Sequence, residues 1–525
     1  MVFSNNLLMG AAAAAASGGA GYVPKGAIWL DGSADYLMKT FGSAGNRKTF
    51  TYSFWWKRVG IGTDQYVMTA GDSNTSYMWY IPTTDLCQVN FNTSTAANFI
   101  SNGVFRDPTA WQHVCVMFDT TVPTYQVWIN GQIPSKGTNN LPTSDQEHNF
   151  MNSGVEHRIG STSGEPSSCY EGYLSEFIVL DGYAGFPTDF GQFNDDGVWI
   201  PIDPSSVVST NKGTNGFWLD FADSSDLGND VSGNNNDFTT YSMSADNFSY
   251  DRPADSDTTG NFCTFTSQYR REVDVGYYVY TPRGDVDIAN GGKEVKWTGG
   301  SSAGTYGVNV IINSTVPLYP GNKYHVEWKT TRWGVPASSG AYQAVYLVPV
   351  SYYSNYVNLN SSGSGSYTFY TSSWNPSKGT NGQAWFNGSS ISTTITAFPL
   401  NETMSLDIDM STIGSTTIIE KRYNSGSPAT DFTASSLAFL DEPYFICSQC
   451  QGNGSGRDFD ALFNFGDTGT WLITPETDHV GVNTYTINKE RTVTKPSDNF
   501  LPILYEGNGT GQRVGNFIPF TDSHT

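Results

Sequence analysis

Residues 49–58 read TFTYSFWWKR. Alternation places Phe50, Tyr52, Phe54 and Trp56 on one side of an extended chain, and Thr49, Thr51, Ser53 and Lys57 mainly on the other. This is the pattern of an antiparallel strand with one face in a core and the other toward solvent. Working outward, WQHVCVMFD at 111–119 reads as a strand apolar on both faces. TYQVWINGQIP at 124–134 follows, with Asn130-Gly131 as a two-residue turn signal. YEGYLSEFIVLDGY at 170–183 supplies another strand, and FPTDFGQF at 186–193 offers at most one turn of helix after Pro187.

Composition agrees with a β protein. Charged residues make up 14% of the 525, while Gly, Ser, Thr, Asn and aromatic residues are abundant, as expected of short strands joined by tight turns. The length allows several domains, each able to bury its own core. Lys plus Arg is 27 against 49 Asp plus Glu, a net charge of -22, which leaves no basic stripe for phosphates or anionic lipid. Nucleic acid and membrane insertion are therefore not expected. Of the six cysteines, Cys87, Cys115, Cys169 and Cys263 are scattered and only Cys447 and Cys450 form a C-x-x-C pair, so free, mostly buried thiols are expected.

The opening MVFSNNLLMGAAAAAASGGA carries no Lys or Arg before Lys25, unlike a secretory signal, and is too short to span a bilayer. Leu7 to Ala16 is the best helix-forming run of the chain, so residues 1–21 are expected to dock on a partner protein. The expected order after it is a β-sandwich over 22–200, a polar, turn-rich linker over 201–270, a second sandwich over 271–480 and an extended arm over 481–525. The fold class is all-β, with two antiparallel jelly-roll-like sandwiches in tandem.

Four segments in this order, IWLDGSADYL at 28–37, FTYSFWWK, WQHVCVMFD with YQVWING, and YEGYLSEFIVLDGY, resemble the concanavalin A-like and laminin-G jelly-roll family. In the second half, KYHVEWK, MSLDIDMSTIGSTTIIEKRYNSG and DALFNFGD are similar to strands of SPRY-type sandwiches. There the usual Asn-Gly closing the middle hairpin is replaced by Asn424-Ser425-Gly426. The succession Gly197-Val198-Trp199-Ile200-Pro201, NGFWLDF at 215–221, DVSGNNNDF at 230–238 and DRPADS at 251–256 resembles virion proteins of marine bacteriophages. That resemblance implies a tail-fibre-like protein on the virion surface that contacts other virion proteins through its N-terminus and a host surface glycan through its sandwiches. It also implies a homo-oligomer, such fibres often being trimers. A head-decorating fibre or knob with a purely structural role and a polysaccharide-degrading enzyme stay open as alternatives.

No motif for hydrolytic, nucleotide-binding or zinc chemistry is present, and the glycosidase pattern E-x-D-x-x-E is missing, so no catalytic residue is expected. His113, in an apolar strand, reads as a core residue, while His148 and His157 read as members of a polar loop. Asp407 and Asp409 share a strand face about 7 Å apart and read as solvent-facing. For glycan stacking the candidates are Tyr77, Trp79 and Tyr80, and Tyr352, Tyr353 and Tyr356, because rings offer apolar area beside polar groups. For Ca²⁺, which needs several hard oxygens together, the candidates are Asp226, Asp230, Asn234, Asn236 and Asp237. Asx-turn duty is the competing reading for those five.

Overall fold

The computed structural model describes residues 22–71, 76–91, 98–162, 168–194, 198–254, 261–272, 284–299, 310–333, 342–350, 369–374, 382–395, 400–423, 426–451 and 459–482. The chain divides into two compact units, Met1–Asn261 and Phe262–Thr525. Each is built from antiparallel sheets. Among the described residues the one α-helix is Ser205–Asn211. The expected docking peptide 1–21, and the arm beyond residue 482, lie outside the described residues.

In the first unit, a seven-stranded sheet runs Phe248–Ser249, Ala27–Asp31, Glu171–Asp181, Thr49–Arg58, Gln112–Asp119, Thr124–Ile129, with Phe217–Leu219 also paired to Glu171–Asp181. The eight-stranded sheet runs Lys136–Asn139, Phe99–Val104, Leu86–Val89, Tyr77–Ile81, Gln65–Ala70, Glu156–Ile159, Tyr36–Thr40, Thr239–Tyr241. Phe50, Tyr52, Phe54 and Trp56 point into the core as the alternation requires, meeting Val67, Met68, Met78 and Trp79. The Asn130-Gly131 turn forms with both residues in the left-handed region, φ 48° and 72°. Glycine is needed at 131 twice over, because a Cβ there would lie 2.3 Å from the Trp199 ring.

The second face of Thr49–Arg58 departs from expectation. Thr51, Ser53 and Lys57 are buried, because Tyr183, Trp199, Asp251, Asn261 and their neighbours cover that side of the sheet. Cys115, Trp128, Ile178, Leu180, Phe190, Val208 and Trp218 form a smaller apolar layer there. Lys57 Nζ contacts Asp251 Oδ2 and Asn261 Oδ1, each at 2.8 Å, and Trp111 Nε1 donates to Asp251 Oδ1.

The expected linker is therefore largely part of the first unit. Phe217–Leu219, Thr239–Tyr241 and Phe248–Ser249 each add to a sheet edge or ladder. The polar residues between them are consumed as staples: Asn215 holds Ser43 O, Asp220 pairs with Lys25, and Asp251 neutralises Lys57. Polar composition mimics a linker here because the hydrogen-bonding groups are spent on the unit's own backbone and buried charges.

In the second unit one sheet runs Phe265–Glu272, Val310–Ser314, Tyr444–Gln451, Tyr342–Pro349, Phe369–Trp374, Gly382–Phe386, Ser389–Ile395. The other runs Gly284–Ala289, Glu294–Gly299, Phe459–Asn464, Lys323–Trp333, Thr403–Asp409, Thr416–Tyr423, Ala429–Leu437. The KYHVEWK, MSLDIDM, TIIEKRY and ALFNF segments thus fall on four adjacent strands. Tyr324, Val326, Trp328, Leu406, Ile408 and Ile418 are buried on them.

Candidate functional site

The outer face of the eight-stranded sheet carries the candidate aromatic surface. Plain alternation would put Tyr77 and Trp79 together and Tyr80 opposite. Instead the register runs Tyr66↔Tyr80, Met68↔Trp79, Thr69↔Tyr77, with shifts on either side of Met68. Val67 and Met78 are the extra residues of a paired irregularity, and such a bulge turns the following side chain to the other face. Trp79 consequently goes inward, 0% exposed, edge-on to Phe54 and Trp56. It cannot stack on a ligand. Tyr80 instead joins Tyr77 and Tyr66 outside.

The three tyrosines form one cluster. Tyr66 and Tyr80 stack with centroids 4.3 Å apart, Tyr77 lies 5.3 Å from Tyr80, and Tyr66 lies 5.9 Å from Tyr77. Tyr77 is largely covered, while Tyr66 and Tyr80 are half-buried. Around them stand polar groups: Tyr80 Oη donates to Asp64 Oδ1 at 3.0 Å, the Thr83 amide donates to the same oxygen, and Gln88 Oε1 lies 3.5 Å from Tyr77 Oη. Burial, and then the hydrogen bond to Asp64, raise the Tyr80 pKa, so its hydroxyl stays a donor at neutral pH. Further along the sheet Tyr36 stacks on Tyr241 at 4.6 Å, with the Arg158 guanidinium 4.7 Å over Tyr36. Arg158 is itself paired with Glu156 at 2.7 Å.

Asp64, Tyr66 and Gln88 were not singled out in sequence; only the ladder brings them beside Tyr80. Phe186 and Phe193, 56% and 43% exposed, are two further aromatic side chains open to solvent. Tyr352, Tyr353 and Tyr356 lie outside the described residues.

Four of the five residues considered for calcium, Asp230, Asn234, Asn236 and Asp237, come together, but as a folded loop. The buried Asp230 carboxylate accepts from the Trp218, Ser232 and Asn236 amides and from Ser232 Oγ, at 2.8–2.9 Å. Asp237 Oδ1 accepts the Asp230 amide. The Asn234 and Asn236 side-chain amides donate to Gly216 O, each at 3.0 Å. Asp226 is exposed at the rim. Turn building accounts for these contacts. Among the described residues no group of three His, Cys, Asp or Glu could hold a metal ion.

The histidines separate from their expected surroundings. His113 is a core residue as expected, with Nε2 2.8 Å from Ser53 Oγ and Nδ1 accepting from Trp199 Nε1. His148 does lie in the loop between Lys136–Asn139 and Glu156–Ile159, whereas His157 lies on the latter strand. Both are fully buried against Phe41, Phe50, Phe91 and Phe150, and burial pushes them down to about 3 and about 4. Asp407 is likewise not solvent-facing, but buried between His325 and Lys421. Cys87, Cys115, Cys169, Cys263 and Cys447 are free, buried thiols.

No curated protein sequence matches the chain. Among solved structures it is similar to the native heptameric SAP-like pentraxin of Limulus polyphemus, at 16% identity over 30% of this chain and 76% of that one, TM-score 0.24. It is also similar to a legume lectin-like domain from Entamoeba histolytica, at 9% identity over 35% and 86%, TM-score 0.24. The SPRY domain of human HERC1 matches at 12% identity over 35% and 96%, TM-score 0.23. Overlaps this small carry no functional information. The jelly roll of the first unit has a firmer relation: residues 31–183 match the laminin-G-type profile of the concanavalin A-like lectin/glucanases superfamily.

Proposed function

We propose that this chain is a glycan-binding, non-enzymatic protein of the virion surface, tail-fibre-like, that presents its first sandwich to host saccharide. The observation that carries the reading is the Tyr66–Tyr77–Tyr80 cluster, in which ring area lies beside a phenol hydroxyl, the Asp64 carboxylate and the Gln88 amide. Saccharides have apolar C–H faces and hydroxyl rims, and that combination of ring and polar group suits both. The match of residues 31–183 to a lectin/glucanase superfamily supports the same reading. Attachment to other virion proteins is assigned to residues 1–21, and the chain is read as a homo-oligomer, trimers being common among such fibres, in keeping with the phage-like succession at 197–256.

Binding of a panel of host-surface polysaccharides by calorimetry tests this. Tyr80→Ala should weaken binding about tenfold or more, equivalent to about 1.4 kcal/mol, with a modest loss of stability. Trp79→Ala should act through the core instead, lowering stability by about 3–5 kcal/mol. Equal affinity of wild type and Tyr80→Ala would sink the assignment of the site. Incorporation into particles without glycan binding would favour a head-decorating role, and release of oligosaccharide products would favour an enzyme.

A further inference from the structure

In the second unit the segment after Phe459–Asn464 turns back across the outer face of the sheet holding Lys323–Trp333, Thr403–Asp409 and Thr416–Tyr423. Direct register opposes His325 to Asp407, Glu327 to Ser405 and Asn464, and Ser405 to Lys421, so these side chains share that face. They form a charged chain. His325 Nδ1 lies 2.7 Å from Asp407 Oδ1 and Nε2 lies 3.7 Å from Glu327 Oε1; Lys421 Nζ reaches Asp407 Oδ2 at 3.0 Å.

The overlying segment is tied to this chain at each step. The Trp471 ring meets His325 edge-on at 4.5 Å, and the Ile473 amide donates to Glu327 Oε1 at 2.7 Å. The Glu476 amide donates to Asp407 Oδ1 at 3.1 Å, and its carboxylate pairs with Lys421 at 2.8 Å. Val480 O accepts the His325 amide. Beneath it His325, Glu327, Ser405 and Asp407 are buried, and the Ser405 hydroxyl has no partner.

We propose that residues 471–480 form a proton-gated strap, clamped on the sheet while His325 is protonated and lifted when the imidazole loses that proton. Two cations, His325 and Lys421, then face three carboxylates, Asp407, Glu327 and Glu476. Deprotonation leaves Lys421 as the one cation against them and leaves the imidazole a single N–H to offer two carboxylates. The next charges on these strands, Lys323 and Asp409, pair with each other at 3.4 Å, and Asp478 and His479 of the strap are on its outer side. Burial pushes the imidazole toward neutrality, but the hydrogen bond to Asp407 and the nearby Glu327 carboxylate outweigh it, so its pKa is raised. A raised histidine contributes stability that is present below the unfolded value of 6.5 and lost as pH rises through the folded one. Opening therefore lies on the alkaline side, and it uncovers Lys421, Asn464 and the Ser405 hydroxyl.

Amide hydrogen exchange on the full chain, each rate divided by its intrinsic rate at that pH, tests the strap. The amides of Ile473 and Glu476 are the reporters, with Thr416–Tyr423 as reference. Between about pH 6 and about pH 9 the corrected strap rate should rise about tenfold or more while the reference stays slow. His325→Gln should exchange fast at the strap throughout. If that variant does not fold, Glu476→Gln removes only the half-exposed tie, and should raise strap exchange several-fold at each pH while keeping the pH step. A strap rate independent of pH in the unaltered protein, or strap and reference rising together, overturns the proposal.

Discussion

In the first unit the buried histidines, His113, His148 and His157, are held neutral, with burial pushing them down to about 3, about 3 and about 4. In the second unit the titration runs the other way: His325 is raised by its carboxylate partners, and burial lifts Glu420 to about 8. By these groups the two sandwiches lose stability on opposite sides of neutrality, while the lowered Asp407 and Asp409 carboxylates add an acid-side loss to the second unit. A histidine lowered in the folded state costs stability as pH falls below its unfolded value of 6.5, because the unfolded chain takes up the proton first. A carboxyl raised in the folded state costs stability as pH rises above its unfolded value of 4.5, until the folded group ionises. Glu176 of the first unit, raised to about 7 by burial against hydrogen bonds from Tyr22 and Trp218, opposes its histidines above about pH 4.5. The contrast is therefore sharpest at more acid pH.

The largest expected effect follows directly. Between about pH 4.5 and about pH 3 the first unit should lose several kcal/mol, since each pKa unit is worth about 1.4 kcal/mol per group. Exchange mass spectrometry during acid titration should show peptides of residues 22–254 opening before those of 310–451. The reverse order would break the comparison.

Next in size is the buried ion pair of the first unit against that of the second. Lys57 and Asp251 are both fully enclosed, while Lys421 keeps 12% side-chain exposure. Lys57→Met should cost about 3–5 kcal/mol by stranding the Asp251 charge. Lys421→Met should cost less, because water can reach that site. Denaturant unfolding reads both, and equal losses would show that the full enclosure of Lys57 does not govern the cost.

The smallest effect is a gain. Glu420 is buried with neither carboxylate oxygen hydrogen-bonded. Glu420→Gln should stabilise the second unit near pH 8 and leave it unchanged near pH 4, flattening its alkaline loss. A uniform change at both pH values would mean packing, not ionisation, is responsible.

Much of the fold was legible in local pattern. The alternation in Thr49–Arg58, the Asn130-Gly131 turn and the KYHVEWK, MSLDIDM, TIIEKRY and ALFNF strands all fall where the residues place them. The candidate aromatic cluster was legible only in part: Tyr77 and Tyr80 are on the outer sheet face, but Trp79 is not, Tyr66 and Gln88 join from neighbouring strands, and Asp64 joins from the turn before Gln65–Ala70. Nothing in YMWYI announces the irregularity opposite Met68. A bulge is a property of two paired strands, and a single strand's sequence holds half of it.

The sequence by itself determined that this chain is all-β, acidic and built from sandwich-forming strands, because strand periodicity and turn chemistry act over a few residues. Tertiary structure alone decided which polar residues are solvent-facing. Lys57, His148, His157 and Asp407 read as surface or loop residues, and all are buried. Each is enclosed by a segment distant in sequence that supplies its hydrogen bonds or covers it with aromatic rings, and the cost of burying a polar group depends on partners that no local window contains.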